Sequence, residues 1–324
     1  MIRPFIRLNR RRIARRVGVP SVGTPASGEG VLRPLVCGLC CLLASSVLAG
    51  PYSGPTDTSH PLDPAIALDD PLILGFADAI DPTRTAFAPR GSTSIDPVGF
   101  NSLGDLSADD IANGVDPGVL TVTFPLGIAN ATGPDFAVFE NGFVFPTDPF
   151  LFIELAFVEV STNGTDFARF PAVSTNTQQS NTFGTAFVGY DVTNIHNLAG
   201  KHADGFGTPF DLDDLIADPL VVAGDIDLGN IQYVRLVDIP GNGSRVDSLG
   251  NPIFDNWLTT GTGGFDFRLP QGVAVLNRPL FDANAPALPE PASAALLLAG
   301  LSIVSVVRRR RSASLITASP GGVA

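Results

Sequence analysis

Carboxylates are the one chemistry this chain holds in quantity. Residues 51–307 carry 31 acidic residues against eight basic ones, a formal charge of −23. Dense Asp and Asn in loops suit a hard divalent cation such as calcium, which takes six to eight oxygen ligands. Asp211-Leu212-Asp213-Asp214 sets carboxylates two apart, and Asp238, Asp247, Asp255 and Asp266 lie in or beside expected loops. No segment has the EF-hand spacing. The residues expected to contribute to a calcium site are Glu140, Asp255 and Asp266; the plain alternative is a set of solvated acidic loops. A polysaccharide-cleaving acid pair would also need carboxylates, one buried and one solvated. Glu140, Glu154 and Glu159 are the glutamates of the body. Glu140 ends an apolar run before a turn, which fits a rim ligand or an ordinary strand-end residue.

Other chemistries are poorly supplied. The cysteines are Cys37, Cys40 and Cys41, all inside one apolar N-terminal segment, so the body has no disulfide, thiolate site or cysteine nucleophile. Gly-x-Ser-x-Gly is absent. His196 and His202 stand six apart in an expected surface loop, whereas a helical metal pair needs about four. We expect no catalytic residue and no nucleic-acid binding, because so acidic a body repels phosphate backbones. Trp257, after Asp255-Asn256, and Tyr233 are candidate platforms for a sugar ring, with packing as the ordinary alternative.

The elements that must hold these residues are strands. In 119–124, Leu120, Val122 and Phe124 alternate with threonines, a period of two with one face buried. Further runs are expected at 136–140, 152–161, 167–170, 186–192, 220–223, 231–239 and 272–276. Asn141-Gly142 and Asn163-Gly164 read as hairpin turns, and Asn242-Gly243 closes the 231–239 strand. Residues 105–111 and 209–216 read as single helical turns. Short strands without crossover helices predict an all-β body, a β-sandwich or jelly roll, over 73–278. A flexible leader is expected at 50–72, and a proline-rich spacer at 279–291.

Several segments resemble a group of bacterial and archaeal surface proteins with an uncharacterised β-sandwich. They include Asp135-Phe136-Ala137-Val138-Phe139-Glu140-Asn141, Val158-Glu159-Val160-Ser161, Gly207-Thr208-Pro209-Phe210-Asp211-Leu212, Val234-Arg235-Leu236-Val237-Asp238 and Gly263-Gly264-Phe265-Asp266. The resemblance spans about residues 118–277 and implies a fold and a location, with no settled activity. The group's second acidic residue after Phe-Asp is replaced here by Arg268.

Both ends carry sorting signals. Residues 1–49 form a basic leader and signal peptide, with an apolar stretch at 35–48 and cleavage expected after Ala49. An alternative translation start lies near Val31. At the other end, Pro289-Glu290-Pro291 precedes an uncharged apolar run at 292–307 and then Arg308, Arg309, Arg310 and Arg311. The run makes roughly 24 Å of helix, a short transmembrane span, with arginines that stay cytoplasmic. A cytoplasmic tail, 312–324, follows. Proline–glutamate–proline, apolar helix and arginine cluster together resemble the PEP-CTERM sorting tail of Gram-negative bacteria. That resemblance implies an exosortase-like processing partner, transient anchoring in the inner membrane, and delivery to the cell surface or extracellular matrix. The function expected is therefore an exported, non-enzymatic protein that binds extracellular polysaccharide or serves as a structural matrix component. The alternative is a secreted hydrolase of matrix polysaccharide.

Overall fold

The computed structural model describes residues 49–179, 188–203, 205–259 and 263–279. The signal segment before Ala49, the Pro-Glu-Pro motif, the apolar run and the arginine cluster lie outside the described residues. Among the described residues no helix is long and apolar enough to cross a membrane.

The body is all-β, built of several antiparallel sheets with few helices. One five-stranded sheet runs Ile66–Ala67, Phe206–Phe210, Phe136–Val138, Val273–Val275, Gly75–Phe76. The other runs Ala168–Arg169, Ala156–Ser161, Ile231–Asp238, Val119–Ile128, Ala79–Ile80. Register follows the apolar alternation. Val234 opposes both Val122 and Val160, and Leu236 opposes both Leu120 and Val158. These six side chains are fully buried in a core shared with Phe136, Val138, Phe210, Val273 and Val275 of the first sheet. Phe136 stacks on Phe210 at 5.2 Å and meets Phe170, beside the second sheet, edge-on at 5.8 Å. On the opposite face of Ile231–Asp238, Arg235 pairs with Glu159, which Arg169 also holds at 2.7 Å. Arg235 lies 3.7 Å over the Phe167 ring.

Several expectations are corrected here. Residues 220–223, expected as a strand, form the helix Pro219–Ala223. Asp218 caps its N-terminus, proline occupies its first turn, and Gly224 closes it with φ of +84°. These local signals outweigh the β-branched Val221 and Val222. The 152–161 run breaks at Ile153-Glu154-Leu155 into Phe150–Phe152 and Ala156–Ser161. Asn163-Gly164 does turn a hairpin, with Ala168 opposite Val160. Asn141-Gly142 does not, since Phe143–Val144 pairs forward with Phe150–Phe152. Asn242-Gly243 opens the strand Asn242–Val246 instead of closing one.

The 50–72 stretch is packed, not loose. Ile66–Ala67 forms an edge strand on Phe206–Phe210, and Ser53, Asp63 and Ala65 are buried. His202, expected on a surface loop, is buried beneath this stretch, with Nδ1 3.0 Å from the Pro55 carbonyl. Burial, then the neighbouring Lys201 charge, pushes its imidazole down to about 4, so it is neutral.

Leu236→Ala removes a buried side chain that meets strands on both sides, and is expected to cost about 2–5 kcal/mol. Urea unfolding should show the lower midpoint at an unchanged slope.

Candidate metal centre

The acidic residues divide by what their oxygens touch. One class organises backbone. Asp135 accepts from the Ala131 and Leu212 amides at 2.9 and 2.8 Å. Asp247 accepts from the amides of Ser174, Leu249 and Asn251. Asp211 caps the turn Leu212–Leu215. Asp213 and Asp214 accept from the side-chain amides of Asn130 and Asn197. The Asp211–Asp214 run is therefore structural.

The second class converges. Glu140, Glu154 and Asp266 each bring one carboxylate oxygen within 4.8 Å of the others. Glu140 stands just past the strand Phe136–Val138, and Glu154 sits in the break between Phe150–Phe152 and Ala156–Ser161. Asp266 opens the strand Asp266–Arg268, opposite Ser102 of Phe100–Ser102. Its two oxygens accept from the Ser102 hydroxyl and, at 2.8 Å, from the Asn141 amide. Glu140 Oε2 accepts from the Gly142 amide, while Oε1 is buried with no hydrogen-bond partner.

Behind this trio lie Asp105, Asp238 and Asp255, exposed by 2, 1 and 2 %. Asp238 Oδ1 accepts from the Phe265 amide at 2.8 Å, and its Oδ2 is buried without a partner. Asp255 Oδ2 accepts from the Leu155 amide at 2.8 Å. The Thr259 hydroxyl lies 2.8 Å from Asp105 Oδ2 and 2.9 Å from Glu154 Oε1. One hydroxyl proton serves only one of those acceptors. The other contact holds only if a carboxyl is protonated or a cation draws off its charge. Glycines let the chain approach this closely. A Cβ on Gly241 would fall 1.4 Å from Asp255 Oδ1, and one on Gly264, at φ of +75°, would fall 2.6 Å from Asp238 Oδ1.

Five acids of this cluster are pushed the same way. Burial, then the charge of Asp266, raises Glu140 to about 8. Burial, then Glu140, Asp105 and Asp266, holds Glu154 well above the carboxylate range. Burial dominates likewise for Asp105, Asp238 and Asp255, all raised. Ion pairs among the described residues join Arg84 to Asp81, Arg169 and Arg235 to Glu159, and Lys201 and His196 to Asp63. None reaches Glu140, Glu154 or Asp266.

The donor set fits a hard cation. Calcium–oxygen distances of about 2.3–2.6 Å place opposed ligands roughly 5 Å apart, and the three oxygens here lie within 4.8 Å of one another. With no imidazole or thiolate, the trio suits calcium or magnesium better than zinc. Beside it opens a cavity of about 280 Å³, whose wall includes Phe100, Phe139, Glu140, Asn141, Asp266 and Arg268.

Of the expected ligands, Glu140 and Asp266 belong to the trio. Asp255 stands behind it, its Oδ2 turned to the Leu155 amide. Glu154 takes the third place and was missed. Its signal was a lone acid inside the apolar run Phe150-Leu151-Phe152-Ile153-Glu154-Leu155, with no basic residue nearby in sequence. Trp257 is half-buried, donates its indole N–H to the Leu106 carbonyl at 2.7 Å, and does not line the cavity. Tyr233 lies under Arg84 at 5.2 Å. Compared with protein-family models, curated proteins and solved structures, the chain matches none.

A carboxyl whose pKa is higher folded than unfolded favours folding at low pH and less so as pH rises through the folded value. The five raised acids of the cluster act in that direction, with Glu140 moving from 4.5 to about 8. Melts of chelator-treated protein should therefore fall in stability between about pH 5 and 8. Added calcium should offset the fall more at each higher pH.

Proposed function

We propose that this chain is an exported, non-enzymatic protein of the bacterial cell surface or extracellular matrix. Its body is a β-sandwich that holds calcium between Glu140, Glu154 and Asp266. At the adjoining cavity it engages extracellular polysaccharide. The convergence of three carboxylates, without a cationic partner, at the edge of a cavity carries the reading. Support for export comes from the Pro289-Glu290-Pro291 motif, the apolar run and Arg308 to Arg311, which resemble an exosortase substrate's tail.

A bound cation would neutralise part of the trio's charge and offer open coordination positions to water or sugar hydroxyls. Phe100, 51 % exposed, gives the cavity an apolar wall for a sugar face. Asn141 and Arg268 supply polar groups at the same wall. The sugar platform thus moves from Trp257 to Phe100.

One observation favours the hydrolase reading. Glu140, held protonated to about 8, and Asp266 share the cavity wall, as an acid and its partner carboxylate would. Glu154 weighs against it. A third carboxylate oxygen within 4.8 Å of both is a ligand that hydrolysis does not need, and metal binding does.

Calcium at a hundredfold excess over its dissociation constant should stabilise the chelated protein by about 2.7 kcal/mol. For a domain of this size that is roughly 5–10 °C in Tm. Glu154→Gln should abolish most of that shift. A glycan array with and without calcium should show calcium-dependent binding. Release of reducing ends from matrix polysaccharide would instead establish the hydrolase.

A further inference from the structure

Lys201 is the chain's one lysine. It is 0 % exposed, and the carboxylate against it, Asp63, is 1 % exposed. Lys201 Nζ donates to Asp63 Oδ2 in a very close contact and has no other hydrogen-bond acceptor among the described residues. Asp63 Oδ1 is buried with no partner. An ion pair closed off this way leaves ammonium protons and a carboxylate oxygen unmet in a dry site, the costliest form of a buried salt bridge.

The surroundings form a built cage. The Tyr52 ring lies 5.4 Å from Nζ and stacks on His196 at 4.8 Å with a 6° interplanar angle. His196 Nδ1 stands 3.5 Å from Asp63 Oδ2, the same oxygen that receives the ammonium. His202, the next residue and also buried, is turned to the Pro55 carbonyl. Burial holds the Lys201 amine below its usual range, toward its nucleophilic form. Burial pushes Asp63 up, but His196 and Lys201 outweigh it and hold the carboxyl below its usual range.

We propose that Lys201 and Asp63 condense into an intramolecular isopeptide bond that fastens the 50–67 segment to the body. An ammonium proton passes to Oδ2, and the Nζ lone pair attacks Cγ. The Nζ–Cγ bond forms and the Cγ–Oδ2 bond breaks. Oδ2 leaves as water with two of the three ammonium protons, and the third stays on the amide nitrogen. His196 Nδ1 faces the departing oxygen and can relay its proton. Charge and atoms balance, with no oxidant or co-reactant. The product removes both buried charges and leaves Oδ1 as a neutral carbonyl. The inference is independent of the metal centre.

The purified mature protein, denatured, is treated with a lysine-specific endoprotease. A free Lys201 amine permits one cut and an acylated amine permits none, so the chain is expected to stay whole. Its intact mass should be one water below the sequence mass. After arginine-specific cleavage, the peptide ending at Arg84 should be joined to the peptide ending at Arg235. Lys201→Arg should restore the full mass. A single cut at Lys201 in the wild-type chain, or a water loss that persists in the Lys201→Arg chain, overturns the proposal.

Discussion

Carboxylates taken out of water are the constraint around which one end of this fold is arranged. A lone ionised carboxylate in a dry site costs several kcal/mol even after relaxation, so proteins leave such groups paired, protonated or metal-bound. Glu159 meets the first condition through Arg169 and Arg235. Glu140, Glu154 and Asp266 do not, and Asp105 and Asp238 add further negative groups behind them. Protonation alone satisfies the cluster at low pH. As pH rises toward the raised value of about 8 at Glu140, the same arrangement increasingly calls for a cation, which is why the metal reading and the stability of this end are one question.

The sheets supply the rigidity that such a cluster needs. The central strand Ile231–Asp238 is paired on both sides and ends in Asp238. Ala156–Ser161 starts just past Glu154, and Phe136–Val138 stops just short of Glu140. Each acid thus sits within two residues of a strand terminus, where backbone direction is set by paired strands. Closely approaching glycines at 241 and 264 let neighbouring loops seal the site. Lys201 and Asp63 are likewise buried, and the chemistry proposed there removes their charge covalently.

Much of the framework was legible in sequence because alternation is a local property. Leu120, Val122 and Phe124 face the core as their spacing required, and Val234 and Leu236 do the same. Errors fell where local signals compete. Pro219–Ala223 is rich in β-branched residues, yet Asp218, Pro219 and Gly224 impose a helix. The 50–72 stretch, rich in proline and aspartate, reads as a leader. It is ordered by contacts with residues some 140 positions away, such as Tyr52 with Thr193, which no local pattern reveals. In the candidate site, Glu140 and Asp266 were found because they flank loop signals. Glu154 was hidden because its neighbours are all apolar, and the break that frees it from the strand depends on tertiary packing.

The export proposed above would place such a site where calcium is abundant. The most direct measurement is a crystal structure of the mature protein grown with calcium, with anomalous scattering used to identify the ion. The account requires one peak with oxygens of Glu140, Glu154 and Asp266 at about 2.3–2.6 Å. The three carboxyls hydrogen-bonded to one another around a shared proton, with no ion between them in saturating calcium, would contradict it.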